Sequence, residues 1–296
     1  MVFVAGIIGS ELAPTKSLST LPVATIVVGT ALSVIPVIRL MSIFGRKKVF
    51  LSACIYSILL IGLCIFSITK EIFFLFSFAS FCLGASVATM MQFRFAAIES
   101  VNPEQRASAT AVVLLGGLIS AFLGTEIATI GKSLLNTDFV GSFLLLAFLF
   151  IIAFLFMTFF EPAAKFKEHK EKSKRPLKDI ITQGSFIVAV SAATTGYVVM
   201  SFIMTATPVS MHVMDGHSLH HTKLVLQSHV IAMFLPSLFT AYVVKYIGLT
   251  RMMLIGVLFL FVSVLIAFMS HALTNYWWSL VLLGLGWNFL FIGGTN

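Results

Sequence analysis

Apolar residues in this chain follow neither the alternating rhythm of a half-buried strand nor the one-sided stripe of a helix at a water interface. They run unbroken for roughly 20 residues at a time between short polar connections, the length a helix needs to cross hydrocarbon. Such runs fall at about 19–42, 49–68, 72–98, 107–131, 139–160, 182–210, 222–246, 250–270 and 275–295, after a short apolar segment at 2–9. Helix is the expected state of each. Strands would leave backbone groups unpaired in lipid, and the period-2 pattern of a barrel is absent. The fold class read from this pattern is an all-α integral membrane protein, a helical bundle of about nine full transmembrane helices plus an N-terminal partial helix.

Composition agrees: 59% of the 296 residues are hydrophobic and 10% charged, where soluble domains carry about 25% charged residues. Mean hydropathy is +1.05. In such a chain the net charge of +8 indicates topology rather than nucleic acid as a partner. Placing Lys and Arg on alternate faces puts fifteen of the nineteen on one side and leaves Lys16, Lys70, Lys132 and Lys223 on the other. That bias assigns the 43–48, 99–106, 161–181 and 247–250 connections to the cytoplasm. Three domains are expected: an N-terminal bundle at 1–160, a basic cytoplasmic linker at 161–181, and a C-terminal bundle at 182–296. Cys54, Cys64 and Cys82 lie inside apolar runs, where they behave as small hydrophobes rather than as a disulfide framework. The opening segment is too short to span and has no basic start or cleavage site of a secretory signal. It is expected to be the end of a helix that begins earlier, and the far end, stopping at Asn296 without a polar flank, is expected to be cut as well.

A faint repeat divides the chain. Phe44-Gly45-Arg46 and Ile247-Gly248-Leu249 are both tight glycine turns between two runs, and Phe81-Cys82-Leu83-Gly84 has a counterpart in Leu283-Gly284-Leu285-Gly286. Leu40-Met41-Ser42-Ile43-Phe44-Gly45-Arg46-Lys47-Lys48 resembles the signature between helices 2 and 3 of the major facilitator superfamily. It departs at Ser42, where the signature has an acid. Asn102-Pro103-Glu104-Gln105-Arg106 is similar to the family's turn between helices 4 and 5, and the stretch from Gly116-Gly117 to Gly124-Thr125 to its glycine-rich fifth helix. The resemblance covers essentially the whole chain. It implies twelve helices in two six-helix halves joined by a basic loop, with most of helix 1 and helices 11 and 12 outside this sequence. It implies a secondary active transporter that moves a small molecule by alternating access, is coupled to protons, and acts as a monomer in a bacterial inner membrane, with drug or metabolite efflux among the roles open to it. The alternative is a transport-inactive fragment of such a carrier, kept as a membrane structural or interaction protein.

Ionisable and polar residues inside a bilayer cost several kcal/mol at its centre and are functional candidates by default. Glu126 and His229 each lie roughly 8–10 Å below the outer surface at 1.5 Å per residue, on helices that face each other in the family. They are read either as a protonation-sensitive outer contact or as two separately satisfied side chains. At the inner end, Glu99 resembles the acid that the family pairs with basic residues of the turn bearing Arg46, and with Arg106 it completes the gating candidates. The substrate-cavity candidates are Gln92, Tyr197, Trp287 and Asn288, which lie on helices lining the cavity in the family, and Arg94, which otherwise snorkels to the interface. Gly116, Gly117 and Gly124 suit close helix packing or a sliding hinge between the two halves. His212, His217, His220 and His221 are too few for a di-iron enzyme and read as an exposed loop or an adventitious metal ligand set. With no phosphate-cradling glycine loop, zinc-protease helix or nucleophile elbow, the chain is expected to be no enzyme, to carry no cofactor or resident metal, and to draw on a gradient.

Overall fold

The computed structural model describes residues 2–102, 105–161 and 176–295, and every regular element among them is helical. Helix α1 (Val2–Leu12) leads through a short turn into α2 (Leu21–Phe44) and α3 (Arg46–Thr69). Next come α4 (Phe73–Met90), α5 (Phe93–Glu99), α6 (Arg106–Lys132) and α7 (Val140–Thr158). Beyond the connector follow α8 (Leu177–Ile181), α9 (Gly184–Pro208), α10 (Leu219–Phe234), α11 (Thr240–Ile247), α12 (Leu249–Met269) and α13 (Leu273–Thr295). Seven of the described helical segments are long and apolar enough to cross a membrane. This is a multi-pass membrane protein, and bulky side chains such as Phe159, Phe202 and Phe268 stand at its surface, where lipid is their solvent. Most of the basic connector, 162–175, lies outside the described residues.

Three of the expected spans carry local irregularities. The run at 72–98 is two helices, because α4 gives way at Met91 and Gln92 before α5 begins. The run at 182–210 continues past Pro208 as a wider π turn, Val209–Met214. The run at 222–246 is interrupted by a 3-10 turn at Leu235–Leu238, where Pro236 has no N–H to give to the preceding turn.

Packing groups the chain into two compact units. The first comprises Met1–Val113, Phe122–Ala163 and Pro208–Lys223; the second comprises Leu114–Ala121, Ala164–Thr207 and Leu224–Asn296. In the first, Phe50 of α3 meets Phe93 and Phe160 edge-on at 4.7 and 5.9 Å, and the Ser57 hydroxyl donates to Ser86 over 2.7 Å. In the second, Ser263 and Ser279 each donate to the other's backbone carbonyl, at 2.7 and 2.9 Å. Such bonds tie helices together where lipid offers no partner.

The faint repeat has a counterpart in geometry. Gly45 ends α2 at φ 83°, ψ 155°, and Gly248 ends α11 at φ 81°, ψ 157°. Each N–H bonds back to a carbonyl of the last turn, Met41 and Val244 respectively. Positive φ is open to glycine without steric penalty, so both glycines reverse the chain and start the next helix at once. Gly84 packs against the α2 backbone at Ile26 and Gly29, and Gly284 against His229 and Ala232 of α10. A Cβ at either position would strike backbone atoms of the neighbouring helix.

Candidate aromatic substrate site

Three helices of the second unit bring four aromatic rings together. Trp287 and Phe291, four residues apart on α13, share a helix face and stack with centroids 4.8 Å apart and 8° between planes. Tyr197 of α9 meets both edge-on, at 5.4 and 5.6 Å. Phe234, the last residue of α10, stands 6.1 Å from Trp287. Stacked and edge-to-face pairs are the arrangements aromatic quadrupoles favour.

The cluster adjoins the interruption of the α10 helix. There the Asn288 amide nitrogen donates to the Met233 carbonyl and to the Ser237 hydroxyl, both at 2.6 Å. The Thr240 hydroxyl donates to the Pro236 carbonyl at 3.0 Å. Interrupted helices within a membrane are tolerated where neighbours satisfy the freed backbone, and in transporters they border substrate sites.

Among the described residues, three buried side-chain polar atoms of this unit have no hydrogen-bond partner, Nε1 of Trp287, Oδ1 of Asn288 and Nε2 of His229, against one in the first unit, Oγ of Ser80. More than nine buried polar groups in ten are normally paired, so their grouping marks this unit. His229 is fully enclosed, with Nδ1 2.7 Å from the Leu280 carbonyl. A carbonyl can only accept, so Nδ1 carries the proton and the neutral ring keeps Nε2 as an acceptor.

The remaining candidates are distributed differently. Gln92 and Arg94 belong to the first unit: Gln92 is buried at the α4–α5 break, and the Arg94 guanidinium lies 4.7 Å from the centre of the Phe95 ring. Arg46 and Glu99 form a two-pronged ion pair, Nε to Oε2 at 2.9 Å and Nη2 to Oε1 at 2.5 Å. Arg106 opens α6, but its side chain lies outside what is described. Glu126 and His229, read either as one outer contact or as two separately satisfied side chains, each have a partner within their own unit. Glu126 accepts from the ammonium of Lys223 at 2.8 Å, an attraction that favours a carboxylate over an imidazole, while His229 is held by Leu280. Among the fifth-helix glycines, Gly117 faces a neighbour, the Phe234 ring, at 3.2–3.4 Å for an added Cβ. Gly116 and Gly124 meet nothing within 4 Å among the described atoms. In the histidine loop, Nδ1 of His212 lies 2.8 Å from the His217 carbonyl. Sequence reading also missed a pocket of about 330 Å³ in the first unit, where Glu11, Glu71 and Asp138 converge from three distant stretches.

The sequence pattern described as Major Facilitator Superfamily matches this chain over residues 1–296. The chain belongs to the major facilitator superfamily. Membership makes it a membrane transporter of small molecules and not an enzyme. The riboflavin transporter RfnT of Brucella anthropi is 33% identical over 303 residues, which cover 100% of this superfamily member and 75% of RfnT. The uncharacterized MFS-type transporter YdeG of Bacillus subtilis is 30% identical, over 99% of this chain and 72% of its own. YddS of the same organism, described in the same words, is 28% identical over 99% and 71%.

Proposed function

We propose that this transporter carries a flat heteroaromatic small molecule of the riboflavin class across a bacterial inner membrane by alternating access, driven by the proton gradient. The observation that carries the reading is the cluster of Tyr197, Phe234, Trp287 and Phe291 beside an interrupted helix. Aromatic rings bind a planar π system through stacking, and polar groups placed among them set its orientation. A relative at 33% identity named as a riboflavin transporter supports a substrate of this shape.

In this reading the protein works as a monomer, with bundles at 1–160 and 182–296 and the linker at 161–181 in the cytoplasm. The Arg46–Glu99 and Glu126–Lys223 pairs act as inner and outer contacts that break and reform during the cycle. His229, holding an unshared acceptor nitrogen in a dry site, is the proton-binding candidate. Expression in a bacterium that requires riboflavin and has no importer of its own tests the proposal. Uptake of labelled riboflavin above the vector control, abolished by a protonophore, is the expected result. Uptake equal to the control in cells shown to hold the protein in their membrane refutes the substrate, and uptake indifferent to the protonophore refutes the coupling.

A further inference from the structure

Most of the aromatic cluster is explained by packing, but one atom in it is not. The indole of Trp287 is 4% exposed and its N–H has no partner. Burying such a donor unpaired is unfavourable. A phenylalanine at 287 would fill a similar place among Tyr197, Phe234 and Phe291 without that penalty. Gly196 of α9 lies beside this edge of the ring. A Cβ at Gly196 would lie 3.8 Å from Cδ1 of Trp287, the carbon bonded to Nε1, and 3.3 Å from Cβ of Leu290. Asn288 is different, since its amide nitrogen is engaged in holding the α10 interruption.

We infer that the Trp287 N–H is the specificity group of the aromatic site, donating a hydrogen bond to a carbonyl oxygen or ring nitrogen on the edge of a stacked planar heterocycle. The inference rests on the proposed role of the cluster in binding substrate. It selects heterocycles with an acceptor at the ring edge over flat cations that carry none, because only the former pair the buried N–H. Gly196 contributes by placing no side chain beside the pyrrole edge of the indole.

The test is binding of riboflavin and of ethidium, a planar cation with no carbonyl on its rings, to the full chain in nanodiscs. Wild type, Trp287→Phe and Gly196→Ala are compared, with thermal unfolding followed in parallel. Trp287→Phe is expected to weaken riboflavin about tenfold, the scale of one buried hydrogen bond, and to change ethidium less than about twofold. Gly196→Ala keeps the donor but crowds its edge, so it is expected to weaken riboflavin also. Riboflavin bound equally by wild type and Trp287→Phe overturns the inference and leaves the proposed substrate standing. Equal loss of both ligands in Trp287→Phe, with Gly196→Ala unaffected, makes Trp287 a packing residue and overturns it too. A wild type that binds no riboflavin removes the proposed substrate and the inference together.

Discussion

Replacing Asn288 with alanine tests how the interrupted helix beside the aromatic cluster is held. The side chain is 1% exposed and its amide makes two bonds of 2.6 Å, to the Met233 carbonyl and the Ser237 hydroxyl. Each neutral bond contributes a net 0.5–1.5 kcal/mol or so, and pairs measured within membranes average about 0.6 kcal/mol. The loss expected for Asn288→Ala is therefore about 1–3 kcal/mol. Asn288→Asp is the sharper variant, since a carboxylate has no hydrogen to offer the Met233 carbonyl. It is expected to be less stable than the alanine variant despite its nearly unchanged shape. Reversible unfolding in mixed micelles reads both differences. The reasoning fails if Asn288→Ala lies within about 0.5 kcal/mol of wild type, the range of a surface change, or if the aspartate variant matches wild type.

Other expectations follow from the same geometry. Reversing one charge of the Arg46–Glu99 pair is expected to change stability by less than about 1 kcal/mol, because both side chains are partly exposed, at 23% and 59%, where ion pairs are weak. If the pair is an inner contact, transport falls in each single reversal and recovers in the Arg46→Glu, Glu99→Arg exchange, as measured by uptake rates. Lys223 is only 11% exposed, so Glu126→Gln is expected to destabilise the protein by about 1–3 kcal/mol by weakening compensation of a buried charge. Adding Lys223→Met should recover part of that loss, and a double-mutant cycle that shows additive effects rules out the coupling. Gly117→Val is expected to displace the Phe234 ring and lower riboflavin uptake, whereas Gly116→Ala, with open space beside it, leaves uptake unchanged.

The helices were legible because lipid enforces long apolar runs and internally bonded backbone. Their interruptions were not, and the prolines show why. Pro36 lies inside a continuous α2, and Pro236 coincides with a break. What separates them is a partner elsewhere in the chain: Asn288, 52 positions after Pro236, supplies donors at the interruption. No local pattern contains that information. Tyr197, Trp287 and Asn288 stood out in an apolar background, since an amide or an amphipathic ring needs a reason to be there. Phe234 and Phe291 complete the cluster unannounced, because among thirty phenylalanines only the relative rotation of three helices selects these two. Helical rotation likewise decides which fifth-helix glycine meets a neighbour. The glycine turns at 45 and 248 were readable because positive φ restricts the residue type.

The central claim is tested most directly by reconstituting the chain into liposomes and following labelled riboflavin across the membrane with and without an imposed pH gradient. The account expects riboflavin to accumulate against its own concentration when the gradient is present, and that accumulation to fall several-fold in Trp287→Phe. Liposomes that hold folded protein yet move riboflavin no faster than empty ones, under either condition, would contradict it.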